Sequence, residues 1–117
     1  MIFAAHLIVY SQDADADRAI FRDVCGWQSV DAGEGWLIFA LPPTEVSVHP
    51  ADQPSTQLYL MSTDLATDRR AFEAAGVLFS DIEEARWGSI APFRLPGGCR
   101  IGLYHPSHPS PLAPTAG

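Results

Sequence analysis

Residues 93–106 carry the sequence Phe-Arg-Leu-Pro-Gly-Gly-Cys-Arg-Ile-Gly-Leu-Tyr-His-Pro. Proline and paired glycines favour a tight turn, and the apolar segments on either side favour strands, so this stretch predicts a β-hairpin. An earlier stretch, residues 39–50, has the same outline, with the sequence Phe-Ala-Leu-Pro-Pro-Thr-Glu-Val-Ser-Val-His-Pro. Both stretches begin Phe-x-Leu-Pro and end His-Pro. A hairpin that occurs twice predicts a chain made of two similar halves.

The first half of the chain predicts a strand, a helix and three short strands, in that order. Residues 4–10 are rich in apolar and β-branched side chains and predict a strand. Residues 13–25 repeat apolar side chains at helical spacing, with Asp13 as the N-cap and Gly26 as the stop signal. Turns rich in glycine and proline then separate strands predicted at 28–31, 35–41 and 45–49.

The second half repeats this order after a polar linker at residues 51–56. A strand is predicted at 57–62, and a helix begins at Thr63 or Asp64 and ends at Gly76. The remaining strands are predicted at 77–81, 87–94 and 99–105. At one common offset of 51 residues, the two halves share serine at 11 and 62, aspartate at 13 and 64, and phenylalanine at 21 and 72. The predicted class is therefore α+β, a single structural domain of two βαβββ modules at 1–50 and 57–106, followed by a loose Pro-rich tail at 107–117.

The composition excludes several classes of function. The 117 residues include fourteen acids and seven basic residues, all of them arginine, for a net charge of −7. The lack of lysine excludes Schiff-base chemistry, and the acidic balance argues against nucleic acid or an anionic membrane as a partner. The apolar first ten residues lack a basic leader and are too short to span a bilayer. Two cysteines are too few for a disulfide framework, so a cytoplasmic location is expected.

Three stretches of the sequence resemble the vicinal oxygen chelate superfamily, which includes glyoxalase I, bleomycin and fosfomycin resistance proteins and extradiol dioxygenases. They are His-Leu-Ile-Val-Tyr at 6–10, Phe-Arg-Asp-Val-Cys-Gly-Trp at 21–27 and Arg-Leu-Pro-Gly-Gly-Cys-Arg-Ile-Gly-Leu-Tyr at 94–104. The resemblance extends over residues 6–106. It implies two βαβββ modules whose mixed sheets curl around a shared cavity, and it implies a homodimer.

Metal-dependent members of that superfamily take their ligands from the first and last strands of each module. The resemblance carries these positions onto His6, Ser47 or a neighbour, Gln57 and Gly102. Gly102 has no side chain where a glutamate is expected. Ser47 is a poor ligand, but Glu45 and His49 flank it on the same strand face. The metal set implied by the resemblance is therefore His6, Gln57 and Glu45, an incomplete set for a divalent ion such as Ni, Zn, Mn or Fe.

Strand alternation identifies the side chains that would face the implied cavity. Successive side chains point to opposite faces of a strand, so Ile101 and Leu103 should pack under the helices. The cavity lining is then predicted to be His6, Ile8, Tyr10, His49, Gln57, Tyr59, Met61, Arg100 and Tyr104. Such a lining suits a flat organic ligand or a small acid. The alternatives are that the Tyr and Met side chains pack in a dimer core and that His49 lies in solvent at a strand end.

Three functional hypotheses follow, and the sequence leaves open whether the protein is an enzyme. The first is a small-molecule-binding protein resembling the bleomycin resistance proteins, a homodimer with a ligand cavity and no metal. The second is a divalent-metal-dependent lyase, isomerase or transferase of the glyoxalase I or fosfomycin resistance type, in which the metal polarises substrate oxygens. The third is a protein that acts through its dimer surface. No catalytic residue is assigned in any of them.

Overall fold

A four-stranded sheet lies at the centre of the fold. The structure is a computed structural model that describes residues 6–45, 47–50, 52–53 and 55–112. The strands are β3 (Tyr59–Met61), β4 (Glu83–Ala85), β5 (Gly88–Arg94) and β6 (Arg100–Pro106), in the order β3-β6-β5-β4. β3 runs parallel to β6, and the other neighbours are antiparallel. The predicted hairpin is confirmed, and its ladder runs from Arg94 paired with Arg100 back to Gly88 paired with Pro106, close to the strands predicted at 87–94 and 99–105.

Both predicted helices are present, and each begins at an aspartate. α1 (Ala14–Ala19) continues into a π-helical turn over Ile20–Val24, and α2 covers Leu65–Ala74. The Asp13 carboxylate accepts a hydrogen bond from the Ala16 amide at 3.2 Å, and Asp64 accepts one from the Thr67 amide at 3.1 Å. The caps satisfy amide groups that have no partner in the first helical turn. Of the two N-caps left open for the second helix, the structure has Asp64.

The hydrophobic core lies between the helices and one face of the sheet. Ile20 after the first helix and Phe72 in α2 belong to the same buried cluster as Phe93 of β5. The rings of Phe72 and Phe93 have centroids 5.0 Å apart. As strand alternation predicts, the side chains of Ile101 and Leu103 are buried in this cluster, which leaves the opposite face of β6 free for other contacts.

The first half of the chain forms a separate two-stranded sheet. β1 (Ser29–Asp31) and β2 (Leu37–Phe39) are antiparallel, with Val30 directly opposite Ile38. The turn between them is held by Asp31, whose carboxylate accepts a hydrogen bond from the Gly33 amide at 2.7 Å. These strands are shorter than the predicted 28–31 and 35–41. The α+β class is confirmed, and the curling of the sheets around a cavity stays a prediction.

Three predicted strands are wrong over the described residues. Residues 6–10 of the predicted 4–10 strand form no ladder. Of their side chains, Val9 packs against the core, whereas Tyr10 is 86% exposed, so little burial holds this segment against the sheet. Residues 45–49, apart from Val46, which lies outside the described residues, are not a strand either. Prolines on both sides of that segment cannot donate ladder hydrogen bonds. Residues 77–81 make a single bridge, Phe79 to Phe93, and the second strand of that half is β4 instead.

The second half therefore has the complete predicted order of strand, helix and three strands. Among the described residues, the first half has its helix and two of its predicted strands. No helix in the part of the chain that the structure describes is long and apolar enough to cross a membrane.

A buried carboxylate attaches the first helix to the hairpin of the second half. Asp17 is buried, and its Oδ1 accepts a hydrogen bond from the Gly97 amide at 2.7 Å. In the opposite direction, the Gln12 amide donates to the Gly97 carbonyl at 2.9 Å. A Cβ at position 97 would lie 1.7 Å from the Ser11 hydroxyl, so this close approach requires glycine. The turn of the hairpin is thus a docking point for the first half.

We expect Asp17→Ala to lower the free energy of unfolding by about 1–3 kcal/mol, because it leaves the buried Gly97 amide without its acceptor. Asp15→Ala is the matched control in the same helix, since the Asp15 side chain is 96% exposed and pairs with Arg18 at the surface. Urea unfolding of the two variants measures the difference. Equal midpoints for both variants would contradict this account of the docking point.

Candidate functional site

A large cavity lies beside the free edge of β3. Its volume is about 1360 Å³, and it is bounded by β3, the end of β6, the last turn of the first helix, α2 and the segment that leads from β2 to β3. We call it the crossing segment. Its described residues between β2 and β3 form no strand pair with the sheet. The space between the segment and the sheet edge is the cavity.

Six of the sequence-predicted site residues line this cavity. Four of them belong to or precede the paired strands, namely Gln57, Tyr59, Met61 and Tyr104. The other two, Glu45 and His49, come from the crossing segment. Because β3 and β6 are parallel neighbours with Met61 opposite Tyr104, their side chains on one face come together at the same end of the sheet.

Four predicted residues lie elsewhere. His6, Ile8 and Tyr10 are exposed, since their segment is not paired with the sheet. Arg100 is at the opposite end of β6 from Tyr104, and its guanidinium donates a hydrogen bond to Glu83 on β4 at 3.3 Å. Both partners are about half exposed, so this ion pair lies at the surface of the sheet.

Aromatic rings form one wall of the cavity. The ring centroids of Tyr59 and Tyr104 are 5.6 Å apart, and those of His49 and Trp87 are 5.9 Å apart. The Tyr59 hydroxyl donates to Gln57 Oε1, and the Tyr104 hydroxyl donates to the Trp87 carbonyl, both at 2.9 Å. With both hydroxyl protons engaged in these bonds, neither tyrosine has a hydroxyl proton left to donate to a ligand. Burial, with the Glu45 charge as a further cause, raises the pKa of Tyr104, so its phenol stays protonated.

The sequence missed His108, which lies in the predicted tail. After β6 the Ser107 amide donates to the Trp87 carbonyl at 2.8 Å, which extends the antiparallel pairing by one step, and the chain then bends at His108. The bend brings His108 over Tyr104, with ring centroids 5.8 Å apart, and brings its Nε2 within 3.8 Å of the Glu45 carboxylate. Ser110 also donates a hydrogen bond to Glu45. His108 lies outside any helix or strand, so no periodic pattern of side chains predicts which way it points. The one sign of a functional role in the sequence was that the residue is a histidine.

The thiol of Cys25 lies in the cavity wall but is poorly suited to act as a nucleophile. Burial raises the pKa of Cys25 to about 11, so the thiolate fraction is very small near neutral pH. The thiolate is the reactive form of cysteine. The described geometry thus gives the cavity aromatic and acidic groups without an activated thiol.

Comparison with solved structures identifies the architecture. A lactoylglutathione lyase from Agrobacterium tumefaciens matches with a TM-score of 0.61 and 21% identity, over 88% of this chain and 92% of that one. A glyoxylase/bleomycin resistance protein/dioxygenase domain from Frankia sp. EAN1pec matches with a TM-score of 0.64 and 17% identity, over 91% and 98%. TnmS3, an antibiotic binding protein from Streptomyces sp. CB03234, matches with a TM-score of 0.59 and 23% identity, over 88% and 100%.

The chain has the glyoxalase/bleomycin resistance fold. The resemblance to the vicinal oxygen chelate superfamily drawn from residues 6–106 is thus confirmed at the level of the fold. No protein-family model matches the chain, and neither does any curated protein.

Within the glyoxalase/bleomycin resistance fold, the residues present here do not fit the metal set that the resemblance implied. A Cβ at Gly102 would lie 3.2 Å from Tyr59 Cδ1, so packing already occupies the place of the expected glutamate side chain. The Gln57 side-chain oxygen already accepts a hydrogen bond from the Tyr59 hydroxyl. His6 does not line the cavity that contains Glu45. Among the described residues, no group of three or more His, Cys, Asp or Glu side chains is arranged to hold a metal ion.

Proposed function

We propose that this protein binds a flat aromatic organic molecule in the cavity beside β3. The observation that carries this proposal is the combination of a volume of about 1360 Å³ with a wall of neighbouring, mutually tilted aromatic rings. Pockets for drug-sized ligands measure about 300–1000 Å³ and are lined by aromatic and apolar side chains with a few polar groups. The cavity exceeds that range, which favours a ligand of several fused or linked rings.

The similarity to TnmS3, an antibiotic binding protein, supports a binding role of this kind. In this proposal the two tyrosine rings supply the contact area, and Gln57, Glu45 and His49 orient the ligand through hydrogen bonds. In this proposal the ligand is sequestered rather than converted, and the raised pKa of the Cys25 thiol in the cavity wall supports that role.

Removing one ring from the wall should weaken binding. We expect Tyr59→Ala to lower the affinity for the three-ring probe acridine by about tenfold, since one aromatic contact contributes on the order of 0.5–1.5 kcal/mol beyond its buried area. Tyr10→Ala is the matched control, because Tyr10 is a tyrosine outside the cavity. Fluorescence titration of acridine measures both variants, and circular dichroism checks that each is folded. Unchanged affinity in a folded Tyr59→Ala variant would contradict the proposed site.

We also propose that the protein is a homodimer, with a second copy covering the exposed face of the β1–β2 hairpin. Val30 and Ile38 lie opposite each other on that face, and Val30 is 66% exposed. A two-fold axis places the same apolar patch of two copies together, so each copy removes the other's patch from water. The resemblance to the superfamily implies a homodimer but not which face forms it.

We expect Val30→Glu to convert the dimer to a monomer, because it places a charge in the apolar contact. Leu78→Glu is the control, since Leu78 is also exposed but lies outside the hairpin. Light scattering at micromolar concentration measures the mass of each form. A monomeric parent protein would refute the proposed dimer.

A metal-dependent lyase, isomerase or transferase is the second candidate, favoured by the presence of the Glu45 and Gln57 oxygens in one cavity. The similarity to a lactoylglutathione lyase points the same way. The binding role is preferred because both oxygens already accept hydrogen bonds from the protein and the third predicted ligand, His6, is remote from them.

Metal analysis separates the two candidates. After incubation with Ni, Zn, Mn or Fe and removal of the excess, we expect less than one ion per chain, because Gln57 Oε1 accepts a hydrogen bond from Tyr59, His6 does not line the cavity and position 102 offers no donor. The same measurement on His6→Ala should give the same content. One bound ion per chain that is lost in His6→Ala would overturn the binding proposal in favour of the enzyme.

A further inference from the structure

We propose that the ligand of this cavity is a flat aromatic cation, a step that rests on the binding function proposed above. The sequence alone suggested a flat organic ligand or a small acid for a lining that included Arg100. Its guanidinium is instead paired with Glu83 at the surface and does not line the cavity. Without Arg100, the described lining has carboxylates and no guanidinium.

The charged side chains of the described lining are acidic, and its basic side chains are the imidazoles of His49 and His108. Glu45, Asp52 and Asp68 border the cavity, and none of the described lining residues is an arginine or a lysine. Asp68 accepts a hydrogen bond from the Ser62 hydroxyl at 2.5 Å, so one of these acids is already partnered within the protein. The whole chain adds to the effect through its net charge of −7. A cationic ligand is attracted into such a cavity and an anionic one is repelled.

Glu45 is the acid best placed to contact a ligand. Its side chain is 21% exposed, and its neighbours are the Ser110 hydroxyl and His108. The Nδ1 atom of His108 lies 2.7 Å from the Pro109 carbonyl, which can accept a hydrogen bond from it. In the neutral ring, the nitrogen facing Glu45 then has no proton to donate. The carboxylate is thus held in the cavity wall without a guanidinium or ammonium partner among the described residues.

Aromatic rings next to this carboxylate complete the recognition of a cation. Tyr59, Tyr104 and His108 follow one another with centroid spacings of 5.6 and 5.8 Å, and Glu45 lies beside the last of them. The face of an aromatic ring attracts a cation, most strongly where water is excluded. A planar ligand with a delocalised positive charge can stack on these rings and place its charge toward Glu45.

Three probes with one ring system test the proposal: N-methylacridinium, neutral acridine and the carboxylate derivative of acridine. Fluorescence titrations are made at pH 8, above the usual titration range of imidazole. We expect the cation to bind about tenfold more tightly than acridine, a difference of about 1.4 kcal/mol, and the carboxylate to bind most weakly. Glu45→Gln should reduce the affinity for the cation by about the same factor and change that for acridine much less, because glutamine keeps a hydrogen-bonding group but removes the charge. Glu34→Gln, the same charge change in the exposed β1–β2 turn, should leave both unchanged.

The outcomes distinguish this inference from the function on which it rests. Acridine or its carboxylate binding as tightly as the cation would overturn the cation preference and leave the binding function intact. A folded Glu45→Gln variant with unchanged cation affinity would also overturn it. If Glu45→Gln does not fold, the comparison of the three probes on the parent protein decides. Binding of none of the probes would overturn both the inference and the proposed function.

Discussion

The contact between Asp17 and the Gly97 amide is the constraint on which the arrangement of the two halves depends. It is the side-chain hydrogen bond that joins the first helix to the β5–β6 turn, and it is buried. A buried amide without an acceptor is unfavourable, so the helix is held where the carboxylate can reach the turn. With the helix fixed there, Ile20 completes the core above the sheet, and the following turn, at Val24 and Cys25, forms part of the cavity wall.

The internal repeat explains why an aspartate is found at this place. Ser11 and Asp17 correspond to Ser62 and Asp68, and in each half the serine hydroxyl accepts a hydrogen bond from the N-cap aspartate two residues later. The other aspartate of the repeat, Asp17 in the first half and Asp68 in the second, has a different hydrogen-bond partner in each half. Asp17 accepts a hydrogen bond from the Gly97 amide. Asp68 accepts one from the hydroxyl of Ser62, and it borders the cavity. One motif therefore docks a hairpin in the first half and forms part of the cavity wall in the second.

Local features were predictable from the sequence, and features that need a distant partner were not. The helix caps and the Pro-Gly-Gly hairpin depend on neighbours a few residues away, and they are where the sequence placed them. The strand predicted at 4–10 had the right composition but needs a second strand beside it, which the sequence cannot guarantee. The cavity residues on β3, and Tyr104 on β6, followed from strand alternation within the fold that the resemblance implies. Arg100 and His108 could not be placed in this way. The position of Arg100 depends on its ion pair with Glu83, and that of His108 on a bend in the chain after β6.

Gly102 links the packing of the sheet to the kind of ligand that the cavity can take. It is buried, and the ring of Tyr59 lies close enough that even a methyl group at Gly102 would press on it. The Tyr59 ring thus occupies the space that a carboxylate side chain at position 102 of β6 would need. The acid in the cavity comes from Glu45 on the crossing segment, where its oxygens lie beside the rings of Tyr104 and His108. A carboxylate beside aromatic faces attracts an organic cation, whereas a metal ion needs several convergent donors.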